Sequence, residues 1–369
     1  MHMLPSPTET VKEALSKGIR YFDTAPHYGN GLAEERLGRA LPPFRAAPPE
    51  KEKSCSKGVV RVSTKVGRYC VPETKFDKTT MKPEWRYNGT TYKDQFVTKN
   101  FHSNVCVVDY TAEGIVKNVL QSVERLVAPR LHPDSVPDYM AQLQSAVTGV
   151  SSRPLPGGRP PFDVLRLHDA EEEETFSPCV GKGGGLEALG RLKSAGVCSE
   201  VSLGMGDAVF ARRLMESCEQ GLIDNVMIAG VWNLLNQEGL EFLIFCQERG
   251  VKIHLASVFA SGALWGGDRY NCAPMSEEIQ KKVQGWRELC EKHKAALPRV
   301  ALEFALLPEV VELVAIGCAT VEEVRQNSAL WEEDSGSTVP VSLWKEAMER
   351  GLLRKDFAQL ITGLNINRN

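Results

Sequence analysis

Long apolar runs, a strong net charge and a basic stripe are all missing from this sequence. No segment approaches the roughly 18 apolar residues that a membrane-spanning helix needs, and the first five residues, MHMLP, carry no signal-peptide core. The 44 basic and 47 acidic side chains give a formal net charge of -3, so the charge pattern does not favour nucleic acid. We therefore expect a cytoplasmic protein that binds neither membranes nor nucleic acids.

Two motifs that build metal and cofactor sites are also absent. The ten cysteines include no C-x-x-C pair, so we expect reduced thiols, no zinc site and no other metal. No G-x-G-x-x-G loop follows a strand-like run, because Gly204-Met205-Gly206 lacks the third glycine, which argues against a Rossmann-type site. The remaining composition, 42% apolar and 25% charged, is typical of a folded globular protein.

The dominant pattern is a short apolar run followed by an amphipathic stretch. The apolar runs predict seven strands, at 19–25, 59–66, 162–168, 197–203, 225–229, 251–256 and 311–316. The amphipathic stretches predict helices at 8–17, 34–41, 112–127, 185–194, 207–219, 238–249, 277–294 and 321–330. This alternation is typical of a parallel sheet, and the number of units favours an α/β fold with one (β/α)8 TIM barrel domain over residues 1–369.

Two features depart from a complete barrel. The chain opens on the predicted helix 8–17, so the first strand of the barrel is missing or replaced. Three stretches, at about 67–105, 128–161 and 171–185, are interpreted as long inserted loops. The first of them follows the carboxyl end of a strand, where barrel enzymes keep their active sites, so we interpret it as part of a substrate lid.

Four polar residues stand at or just after predicted strand ends. Asp23, Lys65 and His168 end apolar runs, and Tyr28 follows in the next loop. Each alone has an ordinary structural interpretation, such as a turn cap or a solvated lysine. Together they are more specific, because a lysine cation stabilises tyrosinate, a neutral histidine can bond to the same oxygen, and a buried lysine needs an anion. The set predicts a unit that moves a proton on or off a hydroxyl or carbonyl oxygen.

Several motifs at fixed spacing resemble one enzyme family. The segment GIRYFDTAPHYG at 18–29, followed by EERLG at 34–38, resembles the aldo-keto reductase signature. The resemblance continues at STKVG 63–67, LHD 167–169, GMG 204–206, SGAL 261–264 and VRQN 324–327. DYTAEG at 109–114 and SVERL at 122–126 are similar to the aldose 1-dehydrogenase branch, which includes D-threo-aldose, D-arabinose and L-galactose dehydrogenases. The resemblance implies a (β/α)8 barrel that uses a nicotinamide cofactor without metal.

The resemblance also implies roles for the four residues. Tyr28 would be the acid/base, Lys65 and Asp23 its electrostatic support, and His168 the residue that orients the substrate. The implied reaction oxidises the C1 hydroxyl of an aldose, of D-arabinose, L-fucose or L-galactose type, to the aldonolactone. Substrate contacts are expected at His27, Trp85 and Trp232, and the protein is expected to be a monomer or weak homo-oligomer.

Cofactor contacts are implied by position. They fall at Gly204, Gly206, Asp207, Trp232, Ser257, Phe259, Ser261, Gly262, Leu264, Gly317, Cys318, Ala319, Thr320, Glu323, Gln326 and Asn327. The family's tyrosine that stacks on nicotinamide falls at Ala256, which leaves Phe259 or Trp232 as its replacement. Glu323 takes the place of the usual basic residue for a 2'-phosphate, so we expect NAD, with NADP kept open by the nearby Arg325.

Two alternatives remain at this stage. The first is an NADPH-dependent reductase of small aldehydes or ketones, which would use the same four residues with a different pocket shape. The second is a regulatory barrel that binds a nicotinamide cofactor as a redox sensor. The intact set of four residues favours an enzyme.

Overall fold

The structure, a computed structural model, describes residues 7–44, 58–84, 103–149, 155, 159–331 and 339–354. The chain divides into two compact units, each assembled from separate segments. The first unit comprises Met1–Leu203, Leu214–Ile223 and Cys318–Arg325, and the second comprises Gly204–Arg213, Asp224–Gly317 and Gln326–Asn369.

The first unit is built on parallel strands in the order β1-β2-β5-β6. The strands along this part of the chain are β1 Tyr21–Asp23, β2 Arg61–Val66, β3 Arg68–Pro72, β4 Asn104–Val108, β5 Phe162–His168 and β6 Cys198–Met205. The helices are α1 Pro7–Ser16, α2 Leu32–Ala40, α3 Ala112–Leu126, α4 Val136–Val147, α5 Glu173–Val180 and α6 Gly185–Ser194. The register pairs Asp23 with Ser63 and Lys65 with Arg166, so the carboxyl ends of β1, β2 and β5 lie side by side.

Helix α3 shows how the sequence encodes these elements. The Thr111 hydroxyl accepts a hydrogen bond from the Gly114 N–H and caps the first turn. Ile115, Val119 and Val123 then recur every four residues and are all fully buried. Burying such a side chain contributes about 1.5–3 kcal/mol relative to leaving it exposed, so this face fixes the helix on the protein.

The described parts of the three predicted insertions contain regular secondary structure. In the 67–105 stretch, β3 and β4 form an antiparallel pair, and Tyr69, Val71 and Val107 make a small core of their own. The 128–161 stretch contains α4, and the 171–185 stretch contains α5. Describing these two stretches as loops was therefore wrong over their helices. In α4 the buried Tyr139, Leu143 and Ala146 follow helical spacing, a signal that the neighbouring Pro, Gly and Ser residues obscured.

The second unit contains parallel strands in the order β7-β8-β11. Its strands are β7 Asn225–Ala229, β8 Lys252–Ala256, β9 Arg269–Tyr270, β10 Ala273–Pro274 and β11 Val311–Val314, with β9 and β10 paired antiparallel. The helices along the rest of the chain are α7 Ala208–Glu216, α8 Leu240–Glu248, α9 Glu277–Lys292, α10 Leu297–Leu306, α11 Val321–Ala329 and α12 Val341–Glu349. Val226 pairs with Ile253 and Ile228 with Leu255, and all four are buried in an apolar core.

The sequence pattern located the parallel strands well. Each of the seven predicted runs contains a strand, and each of the eight predicted helices is present. Among the described residues, four helices were not predicted: α4, α5, α10 and α12. In that same part of the chain, no helix combines the length and the apolar character that a membrane crossing needs.

Candidate active site

The first unit brings the four predicted catalytic residues together. Asp23 ends β1, Lys65 lies near the end of β2 and His168 ends β5, while Tyr28 stands in the turn between β1 and α2. Parallel strands present their carboxyl ends at one edge of the sheet, which is why residues far apart in sequence meet here.

Lys65 and Asp23 form a buried ion pair at the base of this site. The Lys65 ammonium bonds to Asp23 Oδ2 and also donates to the Thr24 carbonyl at 3.0 Å. The Ser63 hydroxyl donates to Asp23 Oδ1 at 2.5 Å. Burial alone would raise the pKa of Asp23, but the charges of Lys65 and Arg166 lower it to about 2. Burial acts against the Lys65 cation, yet the Asp23 carboxylate raises the pKa of Lys65, so both groups remain charged.

Tyr28 lies directly against this ion pair. The Lys65 Nζ atom is 4.6 Å from the centre of the Tyr28 ring, so the cation lies over the face of the phenol. The His168 ring meets the Tyr28 ring edge-on, with 5.9 Å between ring centres. Tyr28 is 40% exposed although its neighbours are buried, so a molecule from solvent can reach its hydroxyl. The arrangement can exchange a proton between Tyr28 and an external oxygen.

His168 is buried and uncharged near neutral pH. Burial, followed by the charges of Arg68 and Lys65, lowers the pKa of His168 well below its ordinary value. Its Nε2 atom lies 3.4 Å from Asp169 Oδ2, and its Nδ1 atom has no hydrogen-bond partner among the described residues. A neutral imidazole can donate through one ring nitrogen and accept through the other, so His168 can bond to an oxygen beside Tyr28.

The sequence did not indicate the polar groups that hold His168 in place. The Tyr110 hydroxyl donates to the carbonyl oxygens of His168 at 2.5 Å and of Asp169 at 3.0 Å. Arg68 NH1 pairs with Asp169 Oδ2 at 2.7 Å. Arg166, fully buried, was also missed. Its presence inside the apolar run of β5 was a usable signal, because a charged side chain in a strand covered on both faces must find a partner.

The segment 317–325 holds the residues predicted for the adenosine end of a cofactor. Glu323 Oε2 accepts a hydrogen bond from the Ala319 N–H at 2.6 Å, and the Thr320 hydroxyl accepts one from the Glu323 N–H at 3.1 Å. Arg325 pairs with Glu13 of α1 at 2.8 Å. Gly317 is exposed, and a side chain added there would meet nothing within 4 Å, so the backbone borders open space.

The turn after β8, in the second unit, contains several predicted cofactor residues. Ser257 and Ser261 adopt left-handed backbone angles, with φ of 58° and 57°, and the Ser261 hydroxyl accepts the Cys272 N–H at 3.1 Å. Phe259 is half-buried and packs edge-on against Trp265, with 5.0 Å between ring centres. The Phe259 side chain is therefore partly accessible.

Two predicted contacts in the second unit need correction. Trp232 is 1% exposed and stacks on Phe304 with 4.8 Å between ring centres, so its faces are covered by protein and cannot receive nicotinamide or sugar. Leu264 is also buried, and its N–H donates to the Phe259 carbonyl at 3.3 Å. The family resemblance indicated the positions of Trp232 and Leu264 in the chain, but it could not show that both side chains are buried in an apolar core.

The remaining predicted residues fall into three groups. Asp207 Oδ1 accepts the N–H groups of Val209 and Phe210 at 2.7 and 3.0 Å, which caps the start of α7. His27 is buried, 6.3 Å from His168 between ring centres. Gly204 lies in β6, and Gly206, Gln326 and Cys318 are at least partly accessible. The Gly262 N–H donates to the Phe259 carbonyl at 3.0 Å, and Asn327 lies in α11. Trp85 lies outside the described residues.

A separate surface cavity of about 1090 Å³ lies elsewhere in the first unit. It is bordered by α4, α6 and the segment 217–222, and none of the four predicted catalytic residues lines it. Its position gives it no part in the proton-transfer unit.

Comparisons with known proteins decide the family. The model of the aldo/keto reductase family matches residues 5–131 and 158–347. The chain belongs to the aldo/keto reductase family. It is 28% identical to a D-threo-aldose 1-dehydrogenase from Pseudomonas sp, over 93% of this chain and 87% of that protein. It is 27% identical to a pyridoxal 4-dehydrogenase from Microbacterium luteolum, over 91% of this chain and 85% of that protein.

The fold prediction is confirmed by the same comparisons. An aldo-keto reductase from Bacillus halodurans, solved in its holo form, aligns with a TM-score of 0.57 at 18% identity, over 94% of this chain and 87% of that one. This aldo/keto reductase therefore has the (β/α)8 barrel fold, and it is an NAD(P)-dependent oxidoreductase.

The described residues fit a nicotinamide dinucleotide. Gly317 borders open space at the N-terminus of α11, where backbone N–H groups and the helix dipole favour phosphate. Glu323 and Thr320 already accept nearby N–H groups there, and their oxygens are of the kind that accepts bonds from ribose hydroxyls. Thr320 and Glu323, in the first unit, would hold the adenosine end.

Proposed function

We propose that this aldo/keto reductase oxidises the C1 hydroxyl of an aldose to the aldonolactone, with NAD as the hydride acceptor. The observation that carries the proposal is the Lys65 ammonium, which bonds to Asp23 and lies 4.6 Å from the ring centre of the solvent-accessible Tyr28. Supporting it is the likeness to a D-threo-aldose 1-dehydrogenase over 93% of the chain. We propose that the enzyme acts in the cytoplasm on a small sugar, as a monomer or weak homo-oligomer.

Tyr28 acts as the base in this reaction. The positive charge of Lys65 stabilises tyrosinate, and Asp23 keeps Lys65 charged and in place. His168 lies against the Tyr28 ring and donates or accepts a hydrogen bond at the sugar oxygen, which orients the C1 hydroxyl toward Tyr28. Because His168 is uncharged, it adds no positive charge that would compete for the tyrosinate.

The reaction removes one proton and one hydride from the sugar, which is a two-electron oxidation. The bound nicotinamide supplies the acceptor for the hydride. Tyr28 takes the proton from the C1 hydroxyl, the C1–H bond breaks with both of its electrons, and a carbon–oxygen double bond forms at C1. The cyclic sugar thereby loses two electrons and becomes the lactone, and the proton passes from Tyr28 to solvent, to which Tyr28 is open.

Two contacts of the first unit support NAD over NADP. The Glu323 carboxylate lies beside the Ala319 N–H, where it would repel the 2'-phosphate of NADP. Arg325, the nearest cation in sequence, is already paired with Glu13. At the nicotinamide end, in the second unit, the accessible Phe259 replaces the buried Trp232 as the ring that we assign to stacking.

The proposal is tested by following cofactor reduction with free aldoses. We expect turnover of one or more sugars with NAD, weaker turnover with NADP, and a loss of at least about a hundredfold in kcat for Tyr28→Phe, which removes the proton acceptor. The matched control is Tyr270→Phe, because Tyr270 lies in the short strand β9 and has no part in the proton-transfer unit.

Other outcomes would replace the proposal. Reduction of small aldehydes with NADPH, without sugar oxidation, would establish the reductase alternative. Tight cofactor binding with neither activity would favour the regulatory barrel.

A further inference from the structure

Arg166 and Lys65 are two buried cations placed side by side by the sheet register. They are partners on the neighbouring parallel strands β5 and β2, and their side chains are 0% and 3% exposed. Like charges opposite each other in a sheet repel, and a buried cation that lacks an anion is costly. The register therefore requires a carboxylate that both can share.

Asp23 is that carboxylate. Arg166 Nε donates to Asp23 Oδ1 at 3.1 Å, whereas Lys65 bonds to Asp23 Oδ2. Two further Arg166 donors bond to Ser202 Oγ at 2.6 Å and to the Tyr21 hydroxyl at 2.7 Å. Each carboxylate oxygen thus faces a different cation, and the guanidinium is held by three separate groups.

We propose that Arg166 is a positioning residue for the reaction: it holds Asp23 and takes up part of its negative charge, which leaves the Lys65 cation less neutralised beside Tyr28. The proposal rests on the proposed function, because tyrosinate is the form of Tyr28 that accepts the sugar proton. Arg166 acts through Asp23 and Lys65 rather than on the substrate.

The charge count gives the direction of the effect. Asp23 contributes one negative charge, and Lys65 and Arg166 one positive charge each, so the cluster is positive by one charge. With an apolar residue at 166 it would be neutral. Since the groups are largely removed from water, the extra charge is weakly screened and favours tyrosinate. Removing the Arg166 charge should therefore disfavour tyrosinate relative to the wild type.

The other groups that face the cluster do not cancel this charge. On the Tyr28 side, Arg68 and Asp169 pair with each other at 2.7 Å, and His168 is uncharged, with His27 beside it. On the Arg166 side, burial raises the pKa of Tyr21, so Tyr21 is neutral near pH 7. Arg61 lies over the Tyr21 ring and pairs with Glu200 at 3.0 Å.

The test compares pH profiles of kcat/KM for sugar oxidation. We expect Arg166→Met to raise the pH of half-maximal kcat/KM by about one pH unit, which is an activity loss of about tenfold at neutral pH that alkaline pH restores. Arg166→Lys keeps the positive charge and should stay close to the wild-type profile. Tyr21→Phe removes one Arg166 bond but no charge, so its profile should also stay in place.

A second readout needs neither substrate nor cofactor. The ultraviolet absorbance of tyrosinate is recorded against pH, and the difference between each protein and its Tyr28→Phe counterpart isolates Tyr28. We expect the signal to appear at higher pH in Arg166→Met. If that variant does not fold, Ser202→Asp neutralises Arg166 with a second carboxylate and should shift the signal in the same direction.

The outcomes separate this inference from the proposed function. A folded Arg166→Met or Ser202→Asp protein with an unchanged tyrosinate signal would overturn the inference, even if sugars are oxidised. A shifted signal in an enzyme that oxidises no sugar would support the charge sharing and overturn the proposed function instead.

Discussion

His168 is a buried imidazole whose charged form is disfavoured, which ties the stability of the fold to pH. Burial, with Arg68 and Lys65, lowers its pKa well below the ordinary 6.5. Below about pH 6.5 the unfolded chain therefore binds a proton that the folded protein does not, so stability is lost as the pH falls. We expect the free energy of unfolding to drop more steeply for the wild type than for His168→Asn between about pH 6.5 and 5, by up to about 1.4 kcal/mol per pH unit.

Urea unfolding at a series of pH values measures this difference. His132→Asn is the control, because the His132 side chain is 73% exposed and has no comparable burial. It should leave the wild-type slope unchanged. Parallel curves for the wild type and His168→Asn would show that His168 is not held neutral by the fold.

For single residues, the sequence predicted the side chains that carry the chemistry better than it predicted the side chains that pack against them or hold them in place. Asp23, Lys65 and His168 were visible because each ends an apolar run. Trp232 was misjudged because an aromatic ring in a loop does not reveal that Phe304 will stack on it. Arg166 was hidden inside a run that was interpreted as purely apolar, although the apolar surroundings are what force it to bind Asp23.

The junction between β2 and β3 is the element on which the placement of His168 depends. Gly67 has a left-handed φ of 101°, and a Cβ there would lie 2.3 Å from the Tyr110 ring. Tyr110 in turn donates to the His168 carbonyl. We expect Gly67→Ala to lower the free energy of unfolding by about 2–4 kcal/mol, since backbone strain adds to overpacking.

Denaturant unfolding of Gly67→Ala against Gly196→Ala isolates the steric part. Gly196 also has a left-handed φ, of 72°, but a Cβ there meets nothing within 4 Å. Its substitution should cost only the strain, about 1–2 kcal/mol. Equal losses in the two variants would show that the Tyr110 ring moves aside without cost.

The spacing of apolar residues predicted a helix or strand reliably wherever a single pattern extended over the whole segment. All seven parallel strands were found from apolar runs, because strands covered on both faces need continuous apolar residues. The sequence pattern did not predict helix α5, because the segment EEEETFSPCV begins with acidic residues and contains a proline. In the structure, a capping box between Glu172 and Thr175 stabilises the start of this helix.

At the scale of the whole molecule, residues from distant parts of the chain come into contact, and one of these contacts affects the expected preference between NAD and NADP. Glu13 and Arg325 are 312 positions apart, yet their side chains pair at 2.8 Å in the first unit. No local pattern in the sequence could show that Arg325 is occupied. The sequence indicated the charge of Glu323 as a feature that favours NAD, which stays a prediction, and left Arg325 as an open source of affinity for NADP.

We therefore expect charge removal at Glu323 to relax the preference for NAD. Glu323→Gln keeps an oxygen that can accept the Ala319 N–H but removes the negative charge, so the ratio of kcat/KM for NADP to that for NAD should rise about tenfold, or ~1.4 kcal/mol. Adding Glu13→Gln frees Arg325 and should raise the ratio further.

Glu322→Gln provides the matched control, because it removes the same charge from the same first turn of α11. If general charge at the helix end set the preference, Glu322→Gln and Glu323→Gln would change the ratio equally. A change confined to Glu323→Gln and enlarged by Glu13→Gln would place the discrimination in these two contacts. An unchanged ratio in the double variant would mean that the preference arises outside this helix, and the argument from Glu323 would fall.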